Sequence, residues 1–157
     1  MVDIEIESLE DARVRAEQYI KECYSNMQEL TSEADDELPY KEREFFNAIW
    51  HASTEILPAL EVQVVIDGKN DCYVTTGSSG YVEFGMKPPV GMTLPIKCWI
   101  HTHPFGKAYF SGTDWNTINT YEPIMDSAIV LGGTERMTWI KGKDETYFEE
   151  SVPINKD

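Results

Sequence analysis

His101, His103, Ser111 and Asp114 are the residues of this chain whose types and spacing suggest chemistry rather than packing. Two of only three histidines stand two apart in His101-Thr-His103-Pro104, at the end of the apolar run Ile96-Lys-Cys-Trp-Ile100. On a strand, residues i and i+2 point to the same side, so both imidazoles can converge on one ion. Asp114, in the following Ser111-Gly-Thr-Asp114 turn, can supply an anionic third ligand. Two histidines and one carboxylate with a fourth position open to water is the pattern of catalytic zinc, whereas structural zinc sites are closed by four protein ligands and usually contain cysteine. Helix capping is the plain alternative for Ser111 and Asp114, and capping can coexist with ligation.

His-x-His-Pro, six residues, then Ser-x-x-Asp resembles the signature of the JAMM (MPN+) zinc metalloproteases, most closely that of the proteasome-lid and signalosome members. The resemblance covers roughly residues 40–152. It implies an α/β fold of the JAMM, cytidine-deaminase-like kind: a mixed, curved sheet flanked by helices, with the metal at the end of the Ile96–Ile100 strand. It also implies an upstream glutamate as general base, in the context Glu-Val, several apolar residues, then Gly. Glu61-Val-Gln-Val-Val-Ile-Asp-Gly68 fits, 40 residues before His101, although the family often has Gly where Gln63 and Val64 stand. Glu55, 46 residues before His101, is the rival, but a helical reading makes it a surface carboxylate. By the family's pattern Ser111 donates to the oxyanion, and the substrate is a ubiquitin-like protein tail on a lysine or in a linear fusion. Relatives with other outcomes stay open: metal-free scaffolds, and hydrolases of sulfur-carrier conjugates or cell-wall peptides. The scaffolds usually lose ligands that this chain keeps.

The elements that must position these groups are legible as periodicities. Leu9, Ala12, Ala16, Tyr19, Ile20, Cys23, Tyr24 and Met27 recur at three- and four-residue spacing, which predicts a helix from about Ser8 to Leu30. Thr31–Pro39 lacks periodicity and reads as a loop, so residues 1–38 form an N-terminal helical extension and 39–157 the catalytic domain. The helix face is expected to pack on the domain's own sheet. A second helix is expected from Tyr40 to Ile56, stopped by Pro58. Val62–Asp67 and Cys72–Thr76 should pair as a hairpin, Tyr81–Phe84 is a candidate short strand, and Gly77–Pro95 a long loop able to carry a substrate-binding element. A helix over Trp115–Met125, capped by Ser111 or Asp114, and strands at Ala128–Leu131, Met137–Ile140 and Thr146–Phe148 complete the pattern. Trp99, Trp115 and Trp139 are expected in the core. Phe105 and Tyr109 are candidates to line a substrate groove, His51 is read as a helix residue without a metal role, and Glu83 is left without a role.

The chain has 157 residues, enough for one core, and 41% apolar residues mark it as folded. Its net charge of −15 disfavours nucleic acid and anionic membranes and favours basic or neutral partners. No apolar run of about 18 residues is present and the N-terminus is acidic, so neither a membrane span nor a signal peptide is expected and a cytoplasmic location is. Cys23, Cys72 and Cys98, odd in number and without Cys-x-x-Cys spacing, are expected to be buried thiols. Nothing in the sequence sets an oligomeric state.

Overall fold

The computed structural model describes residues 8–30, 43–76, 92–143 and 145–150. The expected Thr31–Pro39 loop, the boundary at 38/39, the Tyr81–Phe84 strand with Glu83, and most of the Gly77–Pro95 loop lie outside these residues.

Helix α1 (Leu9–Leu30) buries Ala12, Ala16, Ile20 and Tyr24, spaced four apart, while the Ser8 hydroxyl accepts from the Asp11 N–H at its start. Helix α2 (Arg43–His51) buries Phe45, Phe46, Ala48 and Ile49. It continues into a π turn, Ala52–Ile56, in which the Leu57 N–H reaches back to the Ala52 carbonyl. The expected stop at Pro58 follows, because a proline cannot extend the ladder.

The sheet has six strands: β1 (Val62–Ile66), β2 (Cys72–Thr76), β3 (Cys98–Thr102), β4 (Ser127–Leu131), β5 (Glu135–Ile140) and β6 (Tyr147–Glu150), in spatial order β2-β1-β3-β4-β5-β6. The pairing is antiparallel except between β3 and β4, which run parallel and are joined by helix α3 (Gly112–Tyr121). The fold is therefore α/β with a mixed sheet. β1 and β2 form the expected hairpin, whose turn is tied by the buried Asp67 carboxylate accepting from the N–H groups of Lys69 and Asp71. Asn70 takes a left-handed φ of 67° there, a conformation asparagine tolerates.

β3 and α3 differ from expectation at both ends, while β5 starts two residues before the expected Met137 and β6 runs two residues beyond the expected Phe148. β3 is displaced by two residues: Ile96 makes only an isolated bridge to Met125, and the ladder runs through His101 and Thr102, paired to Val130 and Leu131 of β4. His101 therefore lies inside the strand and is held by neighbours on both sides. Helix α3 begins earlier than Trp115 because Ser111 caps it, and it ends at Tyr121, where Pro123 enters a 3-10 turn over Glu122–Ile124.

Alternation along β1 and β3 divides the core. Val62, Val64, Ile66, Cys98 and Ile100 face α1 and α2, whereas Val65 and Trp99 face α3 together with Phe110, Ile118, Val130 and Trp139. Each fully covered Ile or Val is worth about 1.5–3 kcal/mol relative to exposure. α1 thus shares a core with the central strands. Trp99 and Trp139 are buried as expected, but Trp115 is 37% exposed: it sits on the outer side of the first turn of α3, against Phe110. Of the three cysteines, Cys98 is fully buried, and Cys23 and Cys72 are partly covered. Among the described residues no helix is long and apolar enough to cross a membrane.

Candidate metal centre

His101, His103, Gln63 and Glu61 all fall on the α3 side of the sheet, by the same alternation that sends Trp99 there. Gln63 is paired with His101 in the antiparallel β1/β3 register, so extending that register by one same-side step sets Glu61 opposite His103. His103 has just left the strand, and its N–H still bonds the Leu131 carbonyl at 2.9 Å. The chain then turns through Pro104–Gly106, where Gly106 adopts φ 106°, a value that favours glycine, and enters α3.

Asp114 occupies the third position of α3 and is fixed by a capping box. The Ser111 hydroxyl accepts from the Asp114 N–H at 3.1 Å, and Asp114 Oδ2 accepts from the Ser111 N–H at 2.9 Å. The same Oδ2 lies 3.1 Å from His101 Nε2 and 3.1 Å from His103 Nε2. One ligand atom from each of the three residues lies within 4.8 Å of the others. The helix N-terminus adds a favourable field for the carboxylate.

The donor set fits a metal ion. His101 is 2% exposed and its ring stacks on Trp99 at 4.3 Å; among the described residues its ring nitrogens are not satisfied by a well-formed hydrogen bond, with Asp114 Oδ2 3.1 Å from Nε2. A buried polar atom left unsatisfied costs about 1–3 kcal/mol, and a metal bond would remove that cost. His103 Nδ1 lies 3.2 Å from the Lys107 carbonyl. With that carbonyl as acceptor, Nδ1 carries the proton and Nε2 presents its lone pair to the cluster, the outer-sphere arrangement common in zinc ligands. Two imidazoles and a carboxylate are ligand types that zinc accepts.

For His101 and Asp114 the electrostatics run the same way. Burial holds the His101 imidazole below its usual pKa, against the pull of Asp114, so it stays neutral. Burial would raise the Asp114 carboxyl, but the two imidazoles and the Ser111 N–H outweigh it and hold the group well below the carboxylate range. For His103 burial is opposed by Asp114, Glu61 and the Lys107 carbonyl, and the net direction is up. A cation at the cluster would add positive charge and drive both rings to the neutral form.

Glu61 immediately precedes β1 rather than starting it, half-buried, with Oε1 4.0 Å from His103 Nε2. Burial pushes its carboxyl up; His103 opposes this and Asp114 reinforces it. Glu55, the rival, is exposed on the π turn and lines a shallow groove with Leu9 and Ala12 of α1. The fold thus brings Glu61, and not Glu55, to the histidines. Ser111 uses an oxygen lone pair in its cap and keeps its O–H proton to donate. His51 is exposed, with its ring against Tyr19. Phe105 and Tyr109, in the loop between His103 and Asp114, are 84% and 53% exposed, and the Tyr109 ring meets His103 at 4.9 Å.

Three supporting groups were not visible in the sequence. Gln63 Oε1 accepts from the Trp99 indole N–H at 2.7 Å and so orients the ring that backs His101. Its only signal is a polar residue in an otherwise apolar strand. Glu135 Oε2 accepts from the Ala108 N–H at 2.9 Å and tethers the loop that carries Lys107. Gly132 lets the β4–β5 turn approach that loop: a Cβ there would lie 2.8 Å from Ala108 N and 2.9 Å from Gly106 O. No periodicity marks Glu135, and a Gly-Gly pair reads as an ordinary turn.

No family model matches this chain, and neither curated proteins nor solved structures give a match.

Proposed function

We propose that this chain is a zinc-dependent peptidase or isopeptidase of the JAMM kind, acting in the cytoplasm on a ubiquitin-like protein joined to a lysine or in a linear fusion. The observation that supports it most is the convergence of His101, His103 and Asp114 on one point, with His101 Nε2 3.1 Å from Asp114 Oδ2 and Glu61 at its edge. His101, His103 and Asp114 would hold the zinc, whose Lewis acidity brings the pKa of a bound water towards about 7 and polarises a carbonyl.

The chain's own groups supply the rest. Glu61, half-buried and raised in pKa, accepts a proton from the attacking water at its carboxylate and returns it to the departing amine nitrogen. Burial suits it to this exchange, since a general base works best with a pKa near the working pH. Ser111 Oγ–H donates to the carbonyl oxygen as negative charge develops there. Asp114, locked by its cap, keeps the two imidazoles in register with the substrate. Tyr109 and Phe105 offer apolar surface to the chain on either side of the scissile bond. Overall acidity favours basic or neutral conjugates.

The test is Glu61→Gln in zinc-loaded protein, assayed on ubiquitin-like conjugates. Zinc stays at the wild-type level and turnover falls by about 10²–10⁴-fold, the usual worth of a placed acid/base group. Retained turnover would remove Glu61 from this role.

A further inference from the structure

Ser53 and Thr102 lie on the opposite side of the sheet from the histidines, both with 0% exposure. Each is a polar residue in an apolar layer, and buried hydroxyls are kept where they bond to something specific. Thr102 Oγ1 accepts from the Val62 N–H at 2.9 Å, Ser53 Oγ lies 2.8 Å from Thr102 Oγ1, and the Ser53 hydroxyl donates to the Leu60 carbonyl.

The hydrogen bonds through these two hydroxyls run in one direction. Each hydroxyl has a single proton. Ser53 gives its proton to Leu60, so the bond between the hydroxyls is donated by Thr102. The relay runs from the Val62 N–H to Thr102, to Ser53, to the Leu60 C=O, with every proton placed. It begins at the residue after Glu61 and ends at the residue before it. The Leu60 N–H also bonds the Ser53 carbonyl at 3.1 Å. Ser53 is delivered by the π turn, a rare element often found at functional sites. Thr102 stands between the two histidines in sequence, so one strand segment sends ligands to one face and the hydroxyl to the other.

We propose that Ser53 and Thr102 are positioning residues that clamp the peptide groups on both sides of Glu61 and thereby aim its carboxylate at the His101–His103–Asp114 cluster. This rests on the hydrolase reading above. The two hydroxyls act on the backbone that flanks Glu61, through the Val62 N–H and the Leu60 carbonyl, and not on its carboxylate.

The experiment compares zinc-loaded wild type, Thr102→Val, Thr102→Ser and Ser53→Ala, by zinc content, by steady-state kinetics on a ubiquitin-like conjugate, and by crystal structure. Thr102→Val keeps the shape and loses the hydroxyl. The expected result is unchanged zinc, kcat lower by about 10- to 100-fold with KM nearly constant, and a Glu61 carboxylate displaced from His103; an error near 1 Å in a reacting group has that effect. Thr102→Ser restores both position and rate. Wild-type kcat in Thr102→Val, an unmoved Glu61, or a Thr102→Ser variant as slow as the valine overturns the clamp. If Thr102→Val does not fold, Ser53→Ala breaks the same relay and is judged by the same readouts. If zinc-loaded wild type cleaves no conjugate, the hydrolase reading fails, while the Glu61 position in these variants still decides the clamp.

Discussion

Gly132→Ala isolates the support of the metal centre from its ligands. The added Cβ would lie 2.8 Å from Ala108 N, 2.9 Å from Gly106 O and 3.0 Å from Glu135 Cγ. Two of these neighbours are backbone, so relief requires the 106–108 loop to move by about half an ångström, and overpacking of this kind costs about 1–3 kcal/mol. Loss of backbone freedom in the unfolded chain returns about 0.4–1 kcal/mol. The net is a loss of up to about 2.6 kcal/mol, which lowers Tm by up to about 10 °C at this chain length. The same movement carries the Lys107 carbonyl away from His103 Nδ1 and strains the Ala108–Glu135 bond, and losing outer-sphere support of this type weakens metal binding by about 10–100-fold. Gly133→Ala is the control, because its Cβ would meet only Trp50 Cζ2, at an ordinary 3.6 Å. Scanning calorimetry and competitive chelator titration on both variants measure the effect. Wild-type zinc affinity in Gly132→Ala, or equal effects in the two variants, would refute the reasoning.

Ser111→Ala removes the hydroxyl of the capping box and costs about 1 kcal/mol by denaturant titration; zinc is retained and turnover falls about 10²–10³-fold, whereas an unchanged rate would remove Ser111 from oxyanion binding. Asp67→Asn probes the hairpin that carries β1: burial alone would raise the Asp67 carboxyl, but N–H donors from Thr93, Asp71 and Lys69, with the Tyr73 hydroxyl, hold it below its usual range. A depressed carboxyl stabilises the fold above its unfolded pKa of about 4 and loses that contribution as pH falls through the folded value. Wild-type stability should therefore drop on acidification below about pH 4 more steeply than that of Asp67→Asn, which is less stable at neutral pH by about 1–3 kcal/mol because its amide nitrogen must face donors. Parallel pH profiles of the two proteins would contradict this assignment.

Much of the site was legible because it is local. His101, His103, Ser111 and Asp114 lie within one strand-to-helix passage, so alternation and a cap are enough to foresee their convergence. Glu61 needed family resemblance, since its approach depends on the β1/β3 register, which no local pattern encodes. The α1 stripe, the hairpin and the α/β order followed from periodicity. The misplaced edges have one tertiary and one local cause: β3 extends through His101 because β1 and β4 pair with it there, and α3 starts early because Ser111 caps it. Trp115 was expected inside because it is large and apolar, but its place in the first turn of α3 turns it outward. Ser53, Gln63, Glu135 and Gly132 act through partners distant in sequence, and nothing near them in the chain announces those partners.

The central claim is that this cluster holds zinc. Metal content by mass spectrometry, on untagged wild type and on the His101→Ala/His103→Ala double variant, tests it directly. The expected result is about one zinc per wild-type chain and none in the variant. No zinc in wild type after reconstitution, or equal zinc in both proteins, would contradict it.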